Sequence, residues 1–220
     1  MTGAPIPLAK VEAVTEANER FFVTDTELIQ LIGMTPGAAA DASASALGLG
    51  DHLGNADLRR AGIQSLLVRE LAVLSDGDRL EAVGKAQYVG AVLGHATDWL
   101  VLSVEGSNVR AFTTLVASPV GNLTIALGPV AVHEVVPLDP ALPLSEPLKK
   151  LVDAYLADPA INRPLLVRVR RVRGEGDDGV RIEIGEDGAW KMPVSVLRAH
   201  AGTEAEVWPH VVAALSAKDA

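Results

Sequence analysis

The chain has 220 residues, a formal net charge of −9 and no cysteine. Apolar residues make up 49% of it but aromatic residues only 4%, so valine, leucine, isoleucine and alanine must build the core. The acidic balance argues against nucleic acid or an anionic membrane surface as a partner. The lack of cysteine excludes disulfides, thiolate catalysis and cysteine-ligated metals.

Targeting signals are the next feature to consider. No stretch approaches the roughly 18 apolar residues that a membrane-spanning helix needs. Residues 1–10 lack the basic region followed by an apolar region that is typical of a secretory signal. We therefore expect a cytoplasmic protein.

The first strong local signal is a pair of residues that can begin a helix. Thr24 and Glu27 have the spacing of a capping box, in which each side chain accepts a hydrogen bond from the other residue's backbone N–H. Leu28 and Leu31 continue at helical spacing, and Gly33 ends the element.

The segment 35–56 is rich in alanine, serine and glycine. It offers little bulky apolar surface, so we interpret it as a linker or mobile loop. Gly48, Gly50 and Gly54 resemble a dinucleotide-binding turn with one extra residue. That function requires a buried strand before the glycines, and the preceding alanine and serine run does not predict one.

The region from Asp57 to Gly106 predicts a helix–turn–helix–strand unit. Asp57 can cap the first helix, and a second helix is predicted from about Arg79 to Ala96. Between the two helices, an apolar run ends at the turn signal of residues 75–78. The strand Trp99–Glu105 follows. The buried stripe predicted for the first helix is Ile63, Leu66, Leu67 and Leu71.

Further strands are predicted at Val109–Ala117, Asn122–Leu127 and Val130–Val136. Short turns join them, which is typical of an antiparallel meander. The predicted fold class is therefore α+β, with an antiparallel sheet (meander plus hairpin) packed with helices. We expect a single domain over residues 1–220.

The C-terminal part predicts a helix, a hairpin and a terminal helix. Ser145 can cap the first helix. Leu165–Arg173 and Val180–Gly185 flank a glycine-rich loop. Because Val172 is out of phase with the other valines, we expect a bulge at 170–171. The last helix is expected from about Glu206 to Ala217, with Pro209 in its first turn.

Groups that could carry chemistry are sparse. The five histidines never lie within four residues of one another, so no metal-ligand spacing is present. His95 fits a helix end, where it can interact with the last carbonyls. Walker-type and nucleophile-elbow motifs are absent from the sequence. We accordingly predict no catalytic, cofactor-binding or metal site.

Three residues are candidates for contact with a protein partner. Arg168 and Arg170 belong to the only basic cluster, which indicates either a solvated sheet face, with Arg170 opposite Glu183, or a surface for an acidic protein. Trp190 follows a turn and is the better interface anchor of the three tryptophans, whereas Trp99 opens a strand and is expected in the core.

One segment carries a family resemblance. The run Ala61–Leu71 (AGIQSLLVREL) resembles the "alanine/glycine-x-x-Ser-Leu-x-x-Arg-Gly-Leu" helix of the EspG-type chaperones of type VII secretion. Val23–Met34 is similar to the early helix of that family. The resemblance covers residues 23–34 and 58–104, and Glu70 stands where the family has glycine.

The resemblance implies an EspG-like fold and a non-enzymatic, cytosolic chaperone or adaptor that binds the helical tip of PE–PPE-like secretion substrates. It implies no individual contact residue. The alternative is a small-molecule-binding or enzymatic α+β domain, with a pocket lined by His133 or Glu134. A DNA-reading unit is disfavoured, because the second predicted helix carries only Arg79 and Lys85 as basic residues. The sequence does not indicate an oligomeric state.

Overall fold

The computed structural model describes residues 20–75, 79–173, 176–195 and 198–216. The helices in these residues are α1 (Asp25–Gly33), α2 (Ala38–Ala46), α3 (Ala56–Val68), α4 (Gly84–Gly94), α5 (Ser145–Ala157) and α6 (Glu204–Ser216). The strands are β1 (Phe21–Thr24), β2 (Ala72–Ser75), β3 (Arg79–Ala82), β4 (Asp98–Glu105), β5 (Arg110–Ser118), β6 (Gly121–Leu127), β7 (Val132–Leu138), β8 (Leu165–Arg173), β9 (Gly176–Ile184), β10 (Trp190–Ser195) and β11 (Arg198–Gly202).

Nine of these strands form one antiparallel sheet in the order β1–β7–β6–β5–β4–β8–β9–β10–β11, and β2 pairs with β3 separately. Strands β4 to β7 are neighbours in chain order, which confirms the predicted meander, and β8 pairs with β9 as the predicted hairpin. The α+β fold class with an antiparallel sheet is thus confirmed. None of the helices in the described residues is long and apolar enough to cross a membrane.

Two compact units divide the chain. The first holds the described residues up to Trp99 together with Thr114–Leu142, and the second holds Leu100–Thr113 and the described residues from Pro143 onward. The single domain expected over residues 1–220 stays a prediction.

Helix α1 forms the centre of the first unit. The capping box of Thr24 and Glu27 is present, as predicted. Leu28, Leu31 and Ile32 are all fully buried, because α2, α3 and α4 all pack against this one helix. An apolar helix that is covered on several sides needs no polar face.

The linker interpretation of residues 35–56 is wrong at α2. Ala40 and Ala44 are at most 2% exposed. Ser43 Oγ donates a 2.7 Å hydrogen bond to the carbonyl of Leu93 and accepts a 2.9 Å bond from Nε1 of Trp99. Small side chains here permit close helix packing, so the lack of bulk that suggested a loop instead allows burial. Trp99 lies in the core, as expected.

Helix α3 crosses α1 at a position that admits no side chain. A Cβ atom built on Gly62 would lie 2.1 Å from the carbonyl oxygen of Thr26. The predicted cap of α3 is wrong by two residues: Asn55, not Asp57, accepts hydrogen bonds, from the backbone N–H groups of Asp57 and Leu58. Of the four residues predicted as the buried stripe, only Leu66 is fully buried.

Helix α3 ends in a Schellman motif. The N–H of Leu71 donates to the carbonyl of Leu66 at 2.8 Å, and the N–H of Glu70 donates to that of Leu67 at 3.1 Å. This pattern requires a left-handed residue just after the helix, and Glu70 has φ 58°. The residue that replaces the glycine of the EspG-type motif therefore takes a conformation that favours glycine.

The helix predicted from Arg79 is also wrong in its first part. Leu80 and Ala82 are buried and alternate with more exposed neighbours, and β3 pairs with β2 through Leu74 opposite Leu80. The turn signal at 76–78 lies outside the described residues. A hairpin thus separates α3 from α4, which removes the helix–turn–helix interpretation.

The hairpin of the second unit has a regular register, so the predicted bulge at 170–171 is wrong. Val169 pairs with Val180, and Arg170 pairs with Gly179 rather than with Glu183. Val172 faces away from Val169 by alternation yet is only 3% exposed. Both faces of the hairpin are covered at this end, so Val172 needs no change of register to be buried.

Two helix starts in the second unit differ from expectation. Ser145 is the first residue of α5 and does not cap it. Helix α6 begins at Glu204, because the carboxylate of Glu206 accepts hydrogen bonds from the backbone N–H and hydroxyl of Thr203 at 2.7 and 3.0 Å. Pro209 consequently lies in the second turn rather than the first.

The crossing of α1 and α3 predicts that Gly62→Ala destabilises the protein. The added Cβ must displace the backbone at Thr26, which should cost about 1–3 kcal/mol. Denaturant unfolding of the full chain measures this. Gly54→Ala is the matched control, because a Cβ there meets nothing within 4 Å; equal midpoints for the two variants would contradict the close approach.

The left-handed residue after α3 predicts that Glu70→Gly stabilises the protein. Relief of the left-handed strain should exceed the entropy that glycine adds to the unfolded chain, for a net gain of about 0.5–1 kcal/mol. Thermal unfolding of the full chain is the measurement. Glu70→Ala removes the charge and keeps the Cβ, so it should give no gain; equal gains from both variants would refute the backbone explanation.

Candidate functional site

An apolar groove lies at the β1 edge of the sheet, within the first unit. Its volume is about 390 Å³. Its lining is apolar apart from one carboxylate, and comprises Phe22, Ala126, Leu127, Gly128, Val130, Val132 and Glu134. The side chains of Phe22, Leu127 and Val130 are 53%, 51% and 90% exposed. Apolar side chains concentrated at one exposed place mark a candidate interaction surface.

Strand alternation puts Phe22, Ala126 and Glu134 of the lining on the outer face. Phe22 pairs with Glu134, and Ala126 pairs with the same glutamate from the other side. Their neighbours in sequence point inward, since Phe21 and Val135 are buried. The wall of the groove therefore follows from the period of two in the side-chain direction of a β-strand.

The turn between β6 and β7 holds an apolar side chain out at the rim. Val130 has φ 55° and ψ 38°, and Ala131 has φ 58°. A β-branched residue in the left-handed region is a true outlier, and such strain occurs often at functional sites. The N–H of Gly128 closes the turn by donating to the carbonyl of Val132 at 2.9 Å.

A buried carboxylate forms a hydrogen bond with the backbone at the outer edge of β1. Glu27 is fully buried and accepts hydrogen bonds from Thr24 N–H at 2.9 Å, Ser65 Oγ at 2.6 Å and Arg69 Nη1 at 2.7 Å. Arg69 Nη2 also donates to the carbonyl of Phe22 at 2.8 Å. Glu27 and Arg69 thus occupy polar groups of β1 that point away from β7, which protects an exposed sheet edge.

The residues in which this chain resembles the EspG-type motif have structural contacts here. Ser65 and Arg69 bind Glu27, and Leu66 is fully buried. Gly62 lies at the helix crossing. The two segments that carry the resemblance therefore contact each other through these side chains.

The three predicted partner-binding residues lie in the second unit and are not brought together. Arg168 donates to Glu105 Oε1 at 2.8 Å and is 47% exposed. Arg170 is on the same strand face as Arg168. A partner-binding role for these two arginines stays a prediction.

Trp190 lies in the core rather than at a surface. Its side chain is 3% exposed and packs edge-to-face against Trp208, with ring centroids 6.3 Å apart. By the strand register it faces the side opposite to Arg168 and Arg170. The turn before Trp190 suggested an interface anchor, but covering by α6 leaves it almost no surface for a partner.

His133 and Glu134, the residues expected to line a pocket, lie on opposite faces of β7. His133 faces the interior, where its side chain contacts Asp25, while Glu134 faces the groove and pairs with Arg20 at 3.4 Å. His95 forms the C-terminal cap of α4, close to its expected place. Among the described residues no cluster of three or more potential metal ligands occurs.

The groove itself was missed by sequence reasoning, although one signal for it exists. The chain has only three phenylalanines, and two of them are consecutive, at 21 and 22. In a strand, consecutive residues face opposite sides, so one of the pair must point outward.

No protein-family model matches the chain, and no curated protein sequence matches it.

The strained turn predicts that Val130→Gly stabilises the protein. Glycine relieves the left-handed strain, and Val130 is too exposed to contribute packing, so we expect a gain of up to about 1 kcal/mol. Thermal unfolding measures the change. Val194→Gly is the control: it is exposed but has no positive φ, and glycine in a strand should cost about 0.5–1 kcal/mol. A loss of stability in both variants would contradict the strain.

Proposed function

We propose that this chain is a non-enzymatic protein-binding module, an EspG-like chaperone or adaptor for type VII secretion substrates in the cytoplasm. The observation that carries the proposal is the exposed apolar groove of Phe22, Leu127 and Val130. We expect an apolar helical segment of a PE–PPE-like substrate to lie in it, and no nucleic acid or membrane as a partner.

The edge of β1 supports binding through side chains rather than through strand addition. A partner strand would need the outward carbonyl of Phe22 and the N–H of Thr24. Arg69 and Glu27 already occupy these groups. An amphipathic helix needs no such backbone groups, because its apolar face inserts into a groove.

The EspG-type motif gives separate support. Its serine and arginine correspond to Ser65 and Arg69, which hold α3 against α1 and the edge of β1. Its glycine corresponds to Glu70, which adopts a left-handed conformation. The motif positions thus have physical roles in the scaffold beside the groove, as expected if the resemblance reflects a common fold.

A small-molecule-binding or enzymatic domain is the alternative. The groove volume of about 390 Å³ falls within the range of small-ligand sites. Such sites enclose most of the ligand, whereas Phe22 and Val130 at this rim are more than half exposed. Native mass spectrometry of the chain purified from its own host distinguishes the two, since a retained small molecule would favour the alternative.

Phe22→Asp should abolish partner recovery. The substitution places a charge in the apolar groove, and loss of a central aromatic contact costs about 2 kcal/mol or more, or roughly thirtyfold in affinity. The measurement is co-purification of a helical secretion substrate with the tagged full chain from the native host. Because the side chain of Phe22 is 53% exposed, the core should be unaffected.

Val194→Asp is the matched control, because it charges an apolar side chain of similar exposure, 56%, outside the groove. It should retain the partner. If the unmodified chain recovers no helical secretion substrate, or if Phe22→Asp recovers as much as Val194→Asp, the proposal is wrong.

A further inference from the structure

Helix α6 covers the terminal strands of the second unit. It contacts β9, β10 and β11. Trp208 and Val211 of α6 are at most 9% exposed, and Trp208 packs on Trp190 of β10. The integrity of this small core depends on α6 remaining in place.

Two histidines meet at the rim of this contact. His200 of β11 and His210 of α6 stack with ring centroids 3.5 Å apart and an interplanar angle of 7°. His200 is partly exposed and His210 is exposed, so both rings can exchange protons with solvent. A neutral stacked pair attracts by dispersion, but two imidazolium rings at this distance repel each other.

Charged groups of both signs lie near the pair. On β11, Arg198 lies two residues before His200 and adds positive charge. On α6, Glu206 lies one turn before His210; two hydrogen bonds from Thr203 lower the pKa of Glu206, so it remains ionised on acidification and offsets only part of the positive charge. On β10, the residue opposite His200 is the uncharged Met192.

Two further polar contacts of α6 involve no histidine. Lys149 of α5 bridges Asp153 and Glu204, and these hydrogen bonds raise the pKa of Lys149. Arg171 of β8 donates to the carbonyl of Leu215 near the end of α6. Histidine is the side chain whose charge most often changes between pH 5 and pH 8, which singles out the stacked pair among the contacts of α6.

We propose that the stacked His200–His210 pair is a pH-sensitive contact that releases α6 from β11 on acidification. At neutral pH the uncharged stack supports the docked helix. When both rings are protonated, their repulsion opposes the docking, and Trp208 becomes accessible to water. This device is independent of the groove, because it lies wholly in the second unit.

Hydrogen exchange of residues 204–216 in the full chain, read by mass spectrometry, tests the proposal. After correction for the intrinsic exchange rate, we expect exchange to rise about tenfold from pH 7.5 to pH 5.0, the size that repulsion between two partly solvated charges permits. His200→Gln and His210→Gln each remove one imidazole of the pair and should reduce the rise to less than about twofold.

His52→Gln is the matched control, since His52 is exposed and lies in the first unit; it should keep the full rise. In the unmodified chain, 1 M salt should reduce the rise at pH 5.0, because salt screens repulsion at an exposed site. An unchanged rise in both stacked-pair variants, no rise in the unmodified chain, or a rise that salt does not reduce would each overturn the proposal.

Discussion

The buried carboxylate of Glu27 is the interaction on which the first unit depends. With Thr24 it forms the capping box at the start of α1. It also accepts hydrogen bonds from Ser65 of α3 and from Arg69, the C-terminal cap of α3, and so fixes α3 on α1. A fully buried carboxylate is tolerable only when its oxygens are satisfied. Here one charged partner and two neutral donors satisfy them, so the start of one helix and the end of another are specified together.

The same network determines what the edge of the sheet can do. Arg69 reaches past Glu27 to the carbonyl of Phe22, so the terminal strand presents side chains rather than open hydrogen-bonding groups. Phe22 then projects from a strand whose inward neighbours, Phe21 and Val23, are buried. The groove thus results from strand alternation beside a protected edge. The function proposed for it uses the face of the sheet rather than its edge.

The segment that carries the resemblance to EspG-type chaperones has structural roles in the first unit. Its positions lie at a helix crossing, at the Glu27 network and at the left-handed residue that ends α3. These are scaffold roles, and the groove residues Phe22 and Val130 stand outside the motif. The function that we propose therefore rests on a surface outside the segment that carries the resemblance.

The sequence by itself determined the features that depend on local hydrogen bonding and short periodicity. These are the Thr24–Glu27 cap, the strands of the meander and the β8–β9 hairpin. Only the tertiary structure decided that α2 is a packed helix, that Trp190 is covered, and that β8 keeps a regular register past Val172. Each of these depends on what covers a residue from a distant part of the chain, and neither composition nor spacing encodes that locally.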